Sequence, residues 1–375
     1  MSLSELLAAG RPPRERPPAP ESEPWTTYLG FGLLIAAVVG TVLFATAPSP
    51  YVVERPGPVF DTLGEVQSSD GDPVPLIEIP DETTYPTSGR LDLLTVYVDG
   101  SRENPLSWLE VAQAWFDPSR TVLPIDAVYP EGQTEDEADE ESAAAMETSQ
   151  EDAVAAALTE LDIPYESVLT VAGVIEDTPS DGVLEEGDEI LTAEGEVVTD
   201  VDGLRAILAE AGIGTPVELG IRRGVDELTV VLAPVASEQD GSPVIGVYAS
   251  SVYDFPIEVL IQLENVGGPS AGMMFALGIY DKMTPGELTG GEHIAGTGTI
   301  GGGGQVGAIG GIVQKMYGAR DAGATWFLAP ASNCTEVVGH IPSGIEVFSV
   351  ANLDDAIEAV EAIADDDTAE LARCG

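Results

Sequence analysis

Between Pro24 and Val53 the chain carries no charged residue, and within that span Tyr28 to Ala47 (YLGFGLLIAAVVGTVLFATA) is almost wholly apolar. A helix needs about 20 such residues to cross a bilayer, so the stretch predicts a single transmembrane helix over 25–47. Arg11, Arg14 and Arg16 precede it in a Pro-rich segment, 1–24, that reads as a disordered cytoplasmic tail. An excess of arginine stays on the cytoplasmic side, which places everything after Ala47 outside. The rival is a cleaved signal, because Ala45-Thr46-Ala47 has a small-x-small pattern. Its apolar core exceeds the ~7–15 residues usual for a signal, and Pro48 would follow the cut at once. An uncleaved anchor is therefore expected.

Charge narrows the function. Lys and Arg total 14 against 65 Asp and Glu, a formal net charge of −51. No basic stripe exists to neutralise phosphates, so nucleic acid is not an expected partner; a solvated, self-repelling surface accounts for the acidity. Cys334 and Cys374 are the only cysteines and His293 and His340 the only histidines, too few and too scattered for a zinc site. No metal or cofactor is expected. The only lysines are Lys282 and Lys315, and neither lies in a Gly-x-x-x-x-Gly-Lys-Ser/Thr phosphate loop, so no ATPase module is expected in this chain.

Residues 48–84, with Pro48, Pro50, Pro56, Pro58, Pro73, Pro75 and Pro80, read as irregular juxtamembrane structure. Arg90–Val98 reads as a strand and Glu103–Phe116 as a helix. The acidic run Glu131–Glu141 reads as an exposed loop, after which Ser149 offers an N-cap for a helix through Leu158. Short β-like runs follow at Ser167–Val174, Glu189–Ala193, Val217–Arg222 and Glu227–Leu232, with a helix over Asp202–Ala211 among them. Ile257, Val259, Ile261 and Leu263 read as one face of a strand ending at Glu264-Asn265.

The segment Gly182-Val183-Leu184-Glu185-Glu186-Gly187-Asp188-Glu189-Ile190 and the runs around it resemble a bacterial PDZ domain, over 161–238. The resemblance implies a groove between a strand edge and the following helix that takes an extended peptide. The loop that grips a carboxylate should lie just before Val168, where Pro164-Tyr165-Glu166-Ser167 departs from the Gly-rich pattern.

Chemistry concentrates farther on. Val266-Gly267-Gly268-Pro269-Ser270-Ala271-Gly272 leads into an apolar helix, and a serine at a helix start can be a nucleophile beside free N–H donors or merely a cap. Lys315, 45 residues later, lies on the face of a helix shared with Ile312, Met316 and Ala319. It either snorkels to water or is desolvated, with its pKa brought from ~10.4 towards neutrality at a cost of ~4 kcal/mol. A neutral amine can take the proton of a serine hydroxyl. Between the two, Gly296–Gly307 reads as a glycine-tipped hairpin.

Together Gly268-Pro269-Ser270-Ala271-Gly272, Thr297-Gly298 and Gly310-Gly311-Ile312-Val313-Gln314-Lys315 resemble the proteolytic domain of the Lon family. The resemblance implies a serine peptidase with a Ser–Lys dyad, Ser270 as nucleophile and Lys315 as general base, with Thr297 as partner of the amine. The helix Met146–Leu158 resembles the first helix of that domain. The expected architecture is an α/β (α+β) Lon-type proteolytic domain, first part 85–160 and main part 239–364, with the PDZ-like unit inserted and a tail at 365–375. The whole order resembles membrane-anchored Lon-like PDZ proteases of Gram-positive bacteria. It implies an ATP-independent endopeptidase acting on exported or membrane-proximal polypeptides, the PDZ-like unit recognising substrate or gating the site. The alternative is a non-catalytic, membrane-anchored PDZ scaffold or holdase, against which the retention of both Ser270 and Lys315 argues. A β-lactam-binding enzyme would need Ser-x-x-Lys on one helix. The sequence is compatible with a homo-oligomer and does not fix one. In an oxidising compartment Cys334 and Cys374 are expected to pair.

Overall fold

The computed structural model describes residues 25–68, 71–130, 132–237, 241–263 and 266–374. The expected tail 1–24, Glu131 and the expected strand end Glu264-Asn265 lie outside the described residues. Helix α1, Trp25–Thr46, is uninterrupted. Its Tyr28–Thr46 portion has a mean hydropathy of 2.3 and none of it is buried against protein. Among the described residues it is the one helix long and apolar enough to cross a membrane.

The segment expected to be irregular instead contains β1, Tyr51–Asp61, which runs between β2, Arg90–Asp99, and a short strand beyond helix α2. The prolines mislead because the β1–β2 register shifts between Pro56 and Val59, and a bulge tolerates residues that lack a ladder N–H. Helix α2, Trp108–Ala114, is shorter than the expected Glu103–Phe116 and starts at a reciprocal Ser107–Glu110 cap. Strand β3, Thr121–Pro124, pairs with β1.

The acidic run is not a loop. Helix α3 spans Glu135–Glu160, with Thr134 and Glu137 forming a capping box and three acidic residues in its first turn. Negative charge there is favoured by the helix dipole, by about 0.3–1 kcal/mol per residue at low salt. Ser149, expected as an N-cap, lies in the middle of α3.

A second sheet follows. It is built from β4, Glu166–Val174; β5, Glu189–Ala193; β6, Val217–Arg223; β7, Asp226–Leu232; and β8, Val247–Asp254, in the order β7-β6-β5-β4-β8. Helix α4, Val201–Ala211, starts at Asp200, whose side chain accepts from Gly203 N at 2.7 Å. Leu204 and Leu208 of α4 join Leu169, Val171, Ile190 and Leu219 in a core of the unit's own. The sheet therefore continues to Asp254, past the expected limit at 238. Ile257, Val259, Ile261 and Leu263 form no long strand; only Leu260–Ile261 pairs, with Ile77–Glu78. Their alternation reflects packing of an irregular segment on the main core.

The chain then returns to the first sheet through α5, Gly272–Met283; β9, His293–Gly296; a hairpin of β10, Thr299–Ile300, and β11, Val306–Gly307; α6, Ile312–Ala322; β12, Trp326–Pro330; β13, Glu346–Val350; and α7, Leu353–Ala364. The sheet order is β13-β12-β9-β2-β1-β3, parallel from β13 to β2 and antiparallel from β2 to β3. Its strands alternate their apolar faces: Leu93, Ile294 and Leu328 meet α3, α5 and α7, while Leu94, Ala295 and Phe327 meet α6. This is a sheet with helices on both faces. It begins at Tyr51, well before the expected start near residue 85.

The C-terminal segment is tied down. Cys334 and Cys374 form a disulfide with a sequence separation of 40, Ser349 N donates to Ala372 O at 2.9 Å, and Arg373 pairs with Glu346. Closing a loop of this length stabilises by about 4 kcal/mol on the chain-entropy model. Replacing both cysteines by serine should lower the unfolding free energy in urea by about that amount. An unchanged urea midpoint would show that the link constrains nothing.

Candidate active site

Ser270 sits between the turn Gly267-Gly268-Pro269 and the start of α5. Gly268 has φ +83°, a left-handed conformation open to glycine. Its N–H donates to Ser142 O at 2.8 Å, and Ser149 Oγ donates to Pro269 O at 2.9 Å. Two points of α3 thus fix the turn. Ser270 does not cap α5: the N-cap is Ala271, without a side-chain bond. Below the turn Met273, Met274, Phe275, Ala276 and Leu277 are fully buried. Each large apolar side chain so buried contributes about 1.5–3 kcal/mol, which makes α5 a rigid base.

Lys315 comes from α6 on the other side of the sheet. It is 2% exposed, among the most deeply buried large side chains in the protein. Its Nζ reaches Ser270 Oγ at 2.6 Å and donates to Thr297 Oγ1 at 3.0 Å. Thr297 Oγ1 in turn donates to Ser270 O at 2.9 Å. A hydroxyl has one proton to give, so Thr297, having given its proton to a carbonyl, can only accept from the amine. That fixes one N–H of Lys315 on Thr297 and leaves the rest of the amine to Ser270. Burial lowers the Lys315 pKa from its ordinary 10.5 to about 7, with the Glu54 carboxylate partly opposing the shift. Burial raises the Glu54 pKa in turn, opposed by the charge of Lys315.

The pair opens on a cleft of about 530 Å³ walled by Phe60, Leu94, Val96, Met146 and Val266. His293 is not part of the pair: it bonds Asp92 at 2.6 Å. The structure thus brings together Ser270, Lys315 and Thr297, all marked in the sequence. Glu54 was missed, because only the placement of β1 in the sheet brings it near the amine. Ser142 and Ser149 were missed as supports of the turn, since the helix that carries them was broken at the acidic run.

The profile of the Lon protease C-terminal proteolytic domain matches residues 265–362, and that of the PDZ domain matches 146–233. This is a Lon-like protease chain with a PDZ domain. It is 25% identical over 194 residues to the archaeal Lon protease of Pyrococcus abyssi, covering 45% of this chain and 18% of that one. It is 29% identical over 182 residues to the archaeal Lon protease of Methanothermobacter thermautotrophicus, covering 45% and 28%. The chain therefore spans less than a third of the length of these relatives. The PDZ domain of an SdrC-like protein from Listeria innocua is 23% identical with a TM-score of 0.21, over 22% of this chain and 92% of that one.

The buried amine of the Lon-like domain sets a pH dependence. A lysine that releases its proton near pH 7 when folded and near 10.5 when unfolded leaves the unfolded state with more bound protons between those values. Stability contributed by the neutral amine therefore rises with pH across that window and is lost as pH falls through about 7. Lys315→Met should flatten the rise relative to the parent protein, by up to about 1.4 kcal/mol per pH unit. Urea unfolding midpoints measured from pH 7 to 10 check this; parallel profiles for parent and variant would mean that the amine is solvated.

Proposed function

We propose that this chain is a membrane-anchored serine endopeptidase that works without ATP on exported or membrane-proximal polypeptides, with Ser270 as nucleophile and Lys315 as general base. The observation that carries the reading is a lysine buried to 2% exposure, 2.6 Å from a serine hydroxyl at the base of an open cleft. With its pKa near 7, a substantial fraction of the amine is neutral at neutral pH and can accept a proton. Ser270 Oγ attacks the scissile carbonyl carbon as its proton passes to Lys315 Nζ. The tetrahedral species collapses as the ammonium returns that proton to the leaving nitrogen, giving an acyl-enzyme and a free amine. Water then attacks the ester, its proton again going to Lys315, and Ser270 is regenerated.

The oxyanion needs fixed N–H donors. Gly268 N is already bonded to Ser142 O, so the N–H groups of Ser270 and Ala271, at the head of α5, are assigned to this task. Thr297 positions the amine. The N-terminal helix supports the anchor, Arg11, Arg14 and Arg16 support a cytoplasmic N-terminus, and the Cys334–Cys374 disulfide fits an oxidising compartment. Lys282 lies on α5 and Lys315 on α6, so neither lysine of this chain is available to a nucleotide loop.

Casein digestion by the full chain in non-ionic detergent tests the reading. Ser270→Ala and Lys315→Ala should each lower kcat by about 10³-fold or more, with the double variant no worse, because the two act as one unit. Lys315→Arg should be equally inactive, since a guanidinium keeps its proton. Parent-like turnover in Lys315→Arg would rule out the general-base role.

A further inference from the structure

The PDZ-type groove is not where the sequence pattern puts it. Strand β4, just after the expected carboxylate loop, has β5 on one side and β8 on the other, so neither edge is free. The free edge belongs to β8, the last strand of the sheet, which has no further strand beside it among the described residues. Helix α4 packs against β8, and the cleft between them measures about 710 Å³. Arg205 and Ala206 of α4 form one wall, and Ala249, Ser250 and Ser251 of β8 the other. An unpaired edge beside a helix is a geometry that captures an extended chain by strand addition.

This cleft does not end at the PDZ unit. It is lined as well by Asp152 of α3, by the hairpin residues from Thr299 to Gly302, and by Pro269, the residue before Ser270. Two contacts hold the halves together. Tyr253 at the end of β8 donates its hydroxyl proton to Asp152 Oδ1 at 2.7 Å. The start of α4 presses on the hairpin tip so closely that a Cβ on Gly301 would overlap Asp202 Oδ2.

The shared cleft is also charged. Asp152, Asp200 and Asp202 line it, and the single basic side chain there, Arg205, is already paired with Asp202 at 3.2 Å. Burial pushes Asp152 up to about 6, and Asp202 and Asp200 add repulsion. A cationic side chain brought between these carboxylates would relieve both effects.

We infer that one extended polypeptide occupies both places, adding as a strand to the free edge of β8 under α4, setting a lysine or arginine against Asp152, Asp200 and Asp202, and running on past Pro269 to Ser270. The cutting half of this inference rests on the peptidase reading; the docking half does not. The PDZ unit then selects basic, extended segments of the same chain that is cut, with no requirement for a free C-terminus.

Docking is measured on the full chain carrying Ser270→Ala, in non-ionic detergent, by fluorescence anisotropy. The probe is a fluorescein-labelled peptide of alternating valine and lysine, with a valine–glutamate peptide as its counterpart. Ala206→Trp fills the cleft without changing charge and should weaken the valine–lysine peptide about tenfold. Asp152→Asn with Asp202→Asn should weaken it about fivefold while leaving the cleft open. Undiminished binding in Ala206→Trp, or equal binding of the valine–glutamate peptide, would overturn the inference. With Ser270 restored, Ala206→Trp should raise KM for the valine–lysine peptide and leave kcat unchanged. Binding that depends on Ala206 without any cleavage would remove the peptidase reading and leave the groove. Cleavage equal in parent and Ala206→Trp would remove the groove and leave the peptidase.

Discussion

A lysine amine kept out of water is the constraint around which the hydrolytic half of this protein is organised. Holding Lys315 at a pKa of about 7 works against folding by several kcal/mol while the amine is protonated, so the surrounding structure must be rigid enough to keep it buried. The rigidity is visible on both sides of the sheet. Helix α6 carries the lysine on a face packed by Ile312, Met316 and Ala319. Helix α5 carries Ser270 over a block of buried methionine, phenylalanine and leucine side chains. Thr297, at the end of β9, joins the two through its bonds to Lys315 and to the Ser270 carbonyl. None of these three elements positions the pair alone, because the hydroxyl and the amine come from opposite faces of one sheet.

The same logic explains how a PDZ unit can be inserted without disturbing the pair. The insertion leaves after α3 and returns before α5, and these helices pack on each other in the main core. The turn before Ser270 is pinned to α3 at Ser142 and Ser149, so the geometry of the nucleophile does not depend on the inserted unit's own core. What the insertion does reach is the approach to the site, through Tyr253, Asp152 and the glycine-tipped hairpin.

Much of this was legible in the sequence where a residue pattern has one dominant physical meaning. A serine in a Gly-Pro-Ser-Ala-Gly turn, a lysine on an apolar helix face and a glycine-tipped hairpin kept their meaning in three dimensions. The strands of the PDZ unit also fell close to their expected bounds, because each has an alternating or β-branched run closed by a turn. The errors share a cause. Pro56 and Pro58 argue locally against a strand, yet β1 is paired on both sides because a bulge absorbs them. The acidic run from Asp136 to Glu141 reads as a solvated loop by charge, although Thr134 and Glu137 carry the spacing of a capping box. The free edge was assigned to β4 because sheet order depends on where β8 docks, and no local pattern encodes that. Glu54 and Asp152 were out of reach for the same reason.

The protein's scarcity of lysine makes its central claim directly measurable. With Lys282 and Lys315 as the only lysines, the chain labelled with ¹³C- and ¹⁵N-lysine gives two side-chain amine signals, and Lys282→Arg identifies the one from Lys315. An NMR titration of that signal in detergent-solubilised full chain should give a midpoint near 7. A midpoint near ~10.4, the value of a solvated lysine, would contradict the account at its base.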